Sequence, residues 1–74
     1  ANPADVAAAA TAADVQLANG DAPAAYARLI KTIRLTAGED REKARAHLLE
    51  LFSQAQADDP DVAKARRALA SALF

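Results

Sequence analysis

The stretch NGDAPAAYARLIKTIRL, residues 19–35, decides the fold, because it combines a helix stop, a helix start and a strong apolar stripe. Gly20 suits the left-handed position after a helix, and Asp21 can cap the helix that follows. The stripe recurs at spacings of three and four residues and comprises Ala22, Ala25, Tyr26, Leu29, Ile30 and Ile33. The stretch therefore predicts a tight turn between two helices, the second over about 22–35.

The alanine-rich segment before this turn predicts the first helix, from about Pro3 to Ala18. Asn2 is the predicted N-cap, with Pro3 at the first helical position and Asp5 as an acid in the first turn. The face that packs inward is thin and comprises Val6, Ala9, Ala10, Ala13 and Leu17. This helix is predicted to pack closely or to fray.

Two helices are also predicted after the break at Gly38. Glu39 and Asp40 open the third, and its apolar stripe, widened by Leu49, comprises Ala44, Leu48, Leu51, Phe52 and Ala55. In the fourth, Asp59 is the N-cap and Pro60 the first helical residue. Its apolar side comprises Val62, Ala65, Leu69, Ala72 and Leu73. The fold predicted is all-α, with four helices in two antiparallel hairpins over about 1–36 and 38–74.

Length and composition bound the class of protein. A chain of 74 residues makes one domain, 1–74, that buries only about 60% of its unfolded surface. Because the chain begins at Ala1 rather than Met, we expect a segment excised from a larger protein. Helical repeats bury their faces against neighbours, and about three are usually needed to stand alone. We therefore expect an apolar groove to remain for the upstream domain, a second copy or a client helix.

Several classes of function are disfavoured. Nine basic against ten acidic residues give a formal charge of −1, which does not favour nucleic acid. The chain has no Cys and one His, so no disulfide, redox or zinc site is predicted. No apolar run reaches the ~18 residues of a membrane span. Neither Ser53, which lacks a partnered base, nor the capping acids around Pro60 suggest catalysis or metal binding, and we predict no enzyme and no cofactor.

The pairing of helices around residues 19–21 resembles a tetratricopeptide repeat. Ala13 and Ala25 stand where such repeats place small residues between paired helices, and Leu29 follows Ala25 by four. Gln16 departs from the pattern, since a large apolar or aromatic residue is usual there.

The second half carries a more specific resemblance, in AHLLELF (46–52), DDPDV (58–62) and RRALASALF (66–74). Together these segments resemble the C-terminal tetratricopeptide-like domain of the bacterial thioredoxin-like co-chaperones, or chaperedoxins. Relatives tend to place a Gly within 53–57, so the end of the third helix departs from their pattern. The resemblance implies a cytoplasmic protein-binding domain that engages unfolded clients and chaperonin or Hsp70 machinery, with a thioredoxin domain upstream.

The candidate partner-binding residues lie mainly on the last helix: Arg66, Arg67, Leu73, Phe74 and, on the second helix, Tyr26. An aromatic flanked by Arg has the composition of an interface hot spot. Leu73 continues the apolar stripe and is interpreted as structural, so Phe74 is the clearest candidate for contact with a partner. Tyr26 is interpreted as part of the core or as the wall of a groove. The alternatives are a homodimerisation module and a generic peptide-binding repeat domain without a chaperone role.

Overall fold

The structure is a computed structural model that describes residues 5–73. Within that range the chain forms four helices and no strand: α1 (Val6–Ala18), α2 (Ala22–Leu35), α3 (Gly38–Ser53) and α4 (Pro60–Leu73). The first two form a hairpin, α3 packs against both of them, and α4 packs mainly against α2. The predicted all-α fold is confirmed, and α2 is therefore the central helix.

The start of α1 corrects the prediction. The helix begins at Val6, and Asp5 is its N-cap, with extended backbone angles (φ −68°, ψ 108°) and a side chain that accepts a hydrogen bond from the Ala8 amide. The predicted cap, Asn2, and predicted first residue, Pro3, lie outside the described residues. Asp5 satisfies an otherwise unpaired amide of the first turn, which an acid inside the helix would not do.

The turn between α1 and α2 has the predicted chemistry. Gly20 has φ 83°, in the left-handed region that favours glycine. Its amide donates to the Leu17 carbonyl over 3.0 Å, and the Asp21 amide donates to Gln16 over 2.9 Å. The Asp21 carboxylate accepts a hydrogen bond from Ala24 and so caps α2. The backbone groups at the end of α1 and at the start of α2 therefore find hydrogen-bond partners within the turn itself.

The core is centred on α2. Three alanines are completely buried, Ala13, Ala25 and Ala44, and the first two lie on the paired helices α1 and α2. Their small side chains let the paired helices approach closely, as the sequence predicts. The larger core side chains are Tyr26, Leu29, Ile30, Ile33, Leu48, Leu51, Phe52, Val62 and Leu69.

Two buried threonines at the end of α2 are absent from the predicted stripe. The Thr32 hydroxyl donates to the Arg28 carbonyl over 2.9 Å, and the Thr36 hydroxyl donates to the Thr32 carbonyl over 2.8 Å. Arg41 of α3 donates from its Nε to the Thr36 carbonyl. These bonds satisfy the polar groups at the corner between α2 and α3, so the hydroxyls can be buried there.

Two predicted apolar positions face solvent instead. Leu49 is 42% exposed, because α3 turns Leu48, Leu51 and Phe52 toward the core and leaves Leu49 outside it. Leu73, predicted as part of the structural stripe, is 36% exposed. It lies at the end of α4, one turn beyond the buried residues of that helix.

Candidate protein-binding groove

A groove of about 600 Å³ lies between α2 and α4. Its most buried lining residues are Tyr26, Ile30 and Ala65, which form the floor. The walls carry small side chains, Ala24 and Ala27 on α2 with Ala68 on α4, and these leave the space unfilled. An open apolar groove is what we expect of a chain with fewer than about three helical repeats.

The rim of the α2–α4 groove is mostly cationic. Lys31 and Arg34 project from α2 and Lys64 from α4, and all three are exposed. Among residues 5–73, the ion pairs are Arg45 with Glu42 and His47 with Asp14, so none of the three rim cations pairs with a described residue.

The single acid of the rim is Asp61, in the first turn of α4. The preceding Asp59 caps this helix, because its carboxylate accepts a hydrogen bond from the Asp61 amide over 2.8 Å. An acid belongs at this end, where the helix dipole favours negative charge. The rim is therefore acidic where α4 begins and cationic further along.

Tyr26 belongs both to the core and to the groove. Its ring is 2% exposed and packs edge-to-face on Phe52, with ring centroids 5.1 Å apart. Burial, with smaller contributions from Asp59 and Asp61, raises the pKa of the Tyr26 phenol above its ordinary value. The floor of the groove therefore stays uncharged at neutral pH.

The structure separates the candidate residues predicted from sequence. The Arg66 guanidinium lies over the Phe52 ring, 5.6 Å from its centroid, on the side of α4 away from the groove. Arg67 and Leu73 are exposed, and neither lines the groove. Only Tyr26 does so. Phe74 lies outside the described residues, and no contact of it is described.

The rim cations are the residues that sequence reasoning missed. Lys31 and Arg34 lie three residues apart on one edge of α2, which is a detectable signal of a shared face. Lys64 joins them only because α4 packs on α2. A sequence pattern assigns each cation to the solvent side of its own helix and does not show that two helices bring them to one groove.

A second set of polar contacts fastens α1 to its neighbours. The His47 ring of α3 is partly exposed and lies 2.8 Å from the Asp14 carboxylate of α1. Arg28 of α2 donates to the Gln16 side chain over 2.8 Å, which explains a polar residue at that position. In the range 5–73, no three His, Cys, Asp or Glu side chains are grouped as metal ligands would be.

None of the helices in the described part of the chain combines the length and the apolar character that a membrane span requires.

A helical hairpin with small residues where its two helices meet, extended by two further helices packed on the second of them, has the architecture of a helical-repeat protein. The tetratricopeptide repeat model matches residues 1–74, and the chain belongs to that family. Tetratricopeptide repeats generally mediate protein–protein interaction and are generally non-catalytic.

Similar proteins occur in mycobacteria. Uncharacterized proteins of Mycobacterium bovis and Mycobacterium tuberculosis are 49% identical to this chain over 70 residues. The match covers 95% of this chain and 23% of each relative, so the chain spans less than a quarter of the length of these relatives. No solved structure gives a significant match.

Proposed function

We propose that this domain is the protein-binding part of a longer thioredoxin-like co-chaperone of the bacterial cytoplasm, where it engages unfolded clients or chaperone machinery. The observation that carries the binding role is the open α2–α4 groove, about 600 Å³, in a fold that generally mediates protein–protein interaction. The co-chaperone role rests on the resemblance of segments 46–52, 58–62 and 66–74 to that family.

The shape of the α2–α4 groove suits a peptide segment better than a small polar substrate. Its floor offers Tyr26 and Ile30, and alanines at the walls leave room for large apolar side chains of a partner. Amphipathic helices dock in grooves of this kind through side chains spaced three and four residues apart. A client segment that exposes such side chains is therefore the ligand that fits.

The end of α4 is proposed as a second contact, with chaperonin. Leu73 is exposed, Arg67 points to solvent, and Arg66 remains accessible beside Phe52. Phe74 belongs to this proposal by sequence alone. Since these residues lie off the groove, client binding and chaperonin contact would use different surfaces.

One substitution and one truncation in the parent protein separate these two surfaces, with a second substitution as a control. Ala27→Trp fills the groove at an exposed position, and Ala63→Trp is its control on the outer face of α4. Deletion of residues 71–74 removes the last residues of α4 together with Phe74. We expect Ala27→Trp to abolish suppression of client aggregation and the truncation to abolish retention on immobilised chaperonin, with the helical circular dichroism spectrum preserved.

Unchanged aggregation suppression and retention in both variants would contradict the proposal. Absence of a thioredoxin fold encoded upstream of Ala1 would instead favour a generic peptide-binding repeat domain. The homodimer alternative predicts a concentration-dependent mass in light scattering across a dilution series, and a monomer at every concentration would remove it.

A further inference from the structure

The charges around the α2–α4 groove are unbalanced. Lys31, Arg34 and Lys64 surround its apolar floor, against Asp61 alone. The three cations are exposed and have no ion-pair partner among residues 5–73, although the chain as a whole carries a formal charge of −1. The positive charge is thus a local property of this surface, and it favours partners that carry negative charge.

The excess of positive charge on the rim makes a second copy of this domain a poor ligand for the α2–α4 groove. In a two-fold dimer that closes groove on groove, each surface meets its own copy. Each rim carries three cations against one acid, so the two rims together would hold an excess of positive charge, and like charges brought together at an interface are unfavourable. A partner with acids beside its apolar side chains has the opposite balance.

We infer that the α2–α4 groove binds an acidic amphipathic helix, whose apolar stripe covers Tyr26 and Ile30 and whose Asp or Glu side chains face the rim cations. This inference rests on the proposed function, because it specifies the partner chemistry of the same groove. Asp61 would repel an acid placed against the first turn of α4, so the acids of the partner lie beside the cations instead.

Labelled synthetic helices test the inference directly in a fluorescence anisotropy titration. One peptide carries Leu at positions i, i+3, i+4 and i+7 with Glu beside them, and the second replaces every Glu by Gln. We expect the acidic peptide to bind at least about fivefold more tightly at low salt, and the difference to shrink as salt screens the charges.

Charge reversal identifies the rim as the source of that preference. The double variant Lys31→Glu with Lys64→Glu should bind the acidic peptide about tenfold more weakly than the unmodified protein does. Its affinity for the Gln peptide should change by less than about twofold. Lys43→Glu with Arg28→Glu reverses two exposed cations that line neither the groove nor the end of α4, and it alters the net charge equally. The affinity of this control variant for each peptide should stay within about twofold of that of the unmodified protein. Equal losses in the two double variants would overturn the inference, because the effect would then reflect net charge alone.

A groove-filling variant separates this inference from the proposed function. Ala27→Trp should abolish binding of both peptides, while Ala63→Trp should not. If both peptides bind equally well and Ala27→Trp abolishes both, the groove binds proteins but the preference for acidic helices is wrong. If neither peptide binds the unmodified protein, the inference fails, whereas client protection and chaperonin retention still decide the proposed function.

Discussion

The Tyr26 and Phe52 rings meet edge-to-face, with centroids 5.1 Å apart and planes inclined at 77°, and this contact joins α2 to α3. Arg66 of α4 lies over the same Phe52 ring. One aromatic side chain of α3 therefore contacts both α2 and α4. Phe52 and Tyr26 are the two aromatic residues of the core formed by the described residues, and their contact joins two of its helices.

Phe52→Leu should lower the free energy of unfolding by about 1–3 kcal/mol. The substitution keeps an apolar side chain but removes the edge-to-face contact, which is worth about 0.5–1.5 kcal/mol, and leaves unfilled volume in the core. Urea unfolding monitored by circular dichroism measures the change. Leu49→Ala, at an exposed position of the same helix, is the control and should change the free energy by less than about 0.5 kcal/mol. A similar loss in both variants would show that Phe52 has no special part in the core.

Tyr26→Phe should remove the part of the loss of stability at alkaline pH that comes from ionisation of the Tyr26 phenol. Because the pKa of Tyr26 is raised in the folded state, its contribution to stability is complete below the ordinary value of 10.0 and is lost as pH rises through the folded pKa. The melting temperature of the unmodified protein should therefore fall more steeply above about pH 10 than that of Tyr26→Phe. The two profiles should run parallel between neutral pH and pH ~9; parallel profiles up to the highest pH would contradict the raised pKa.

Gly20→Ala should cost about 1 kcal/mol of stability, although no atom lies within 4 Å of the position that the added Cβ would occupy. The cost comes from the backbone alone, since φ is 83° there. Gly20→Asn is the matched comparison, because Asn tolerates the left-handed conformation better than Ala does. Denaturant midpoints of the two variants should therefore rank Asn above Ala, and the reverse order would argue against this origin.

Ala13→Val should destabilise the protein by about 1–3 kcal/mol, because added methyl groups force apart helices that meet at a completely buried alanine. Ala46→Val, at an exposed position within α3, controls for the lower helix propensity of Val. The difference between the two variants in urea unfolding isolates the packing cost. Equal changes would mean that α1 and α2 can separate without loss.

The order and type of the helices could be predicted from the sequence, because each boundary carries local chemistry. The turn at Gly20 and the cap at Asp59 are both as predicted. The start of α1 could not be fixed, since Asn2 and Asp5 are both good N-caps within one turn of each other. Sequence ranks cap residues by type, whereas the structure shows which one bonds an amide of the first turn, here Asp5 to Ala8.

The candidate site was harder to predict than the fold. Tyr26 could be predicted because it lies on a strong apolar stripe. The stripe does not show which side of Tyr26 remains uncovered once α4 packs against α2. Thr32 and Thr36 were missed because a hydroxyl bonded to its own helix can be buried at little cost. The rim around Lys31 and Lys64 depends on how α4 is placed against α2, which is a tertiary property.

The packing of α4 mainly against α2 gives the groove a thermodynamic consequence. A ligand that spans both walls contacts each of the two helices whose association holds α4 in place. Binding is then linked to local unfolding: a saturating ligand raises the free energy of detaching α4 by an amount that grows with the logarithm of its concentration. Amide hydrogen exchange in α4 would therefore slow on binding and would report occupancy of the groove without any label on the partner.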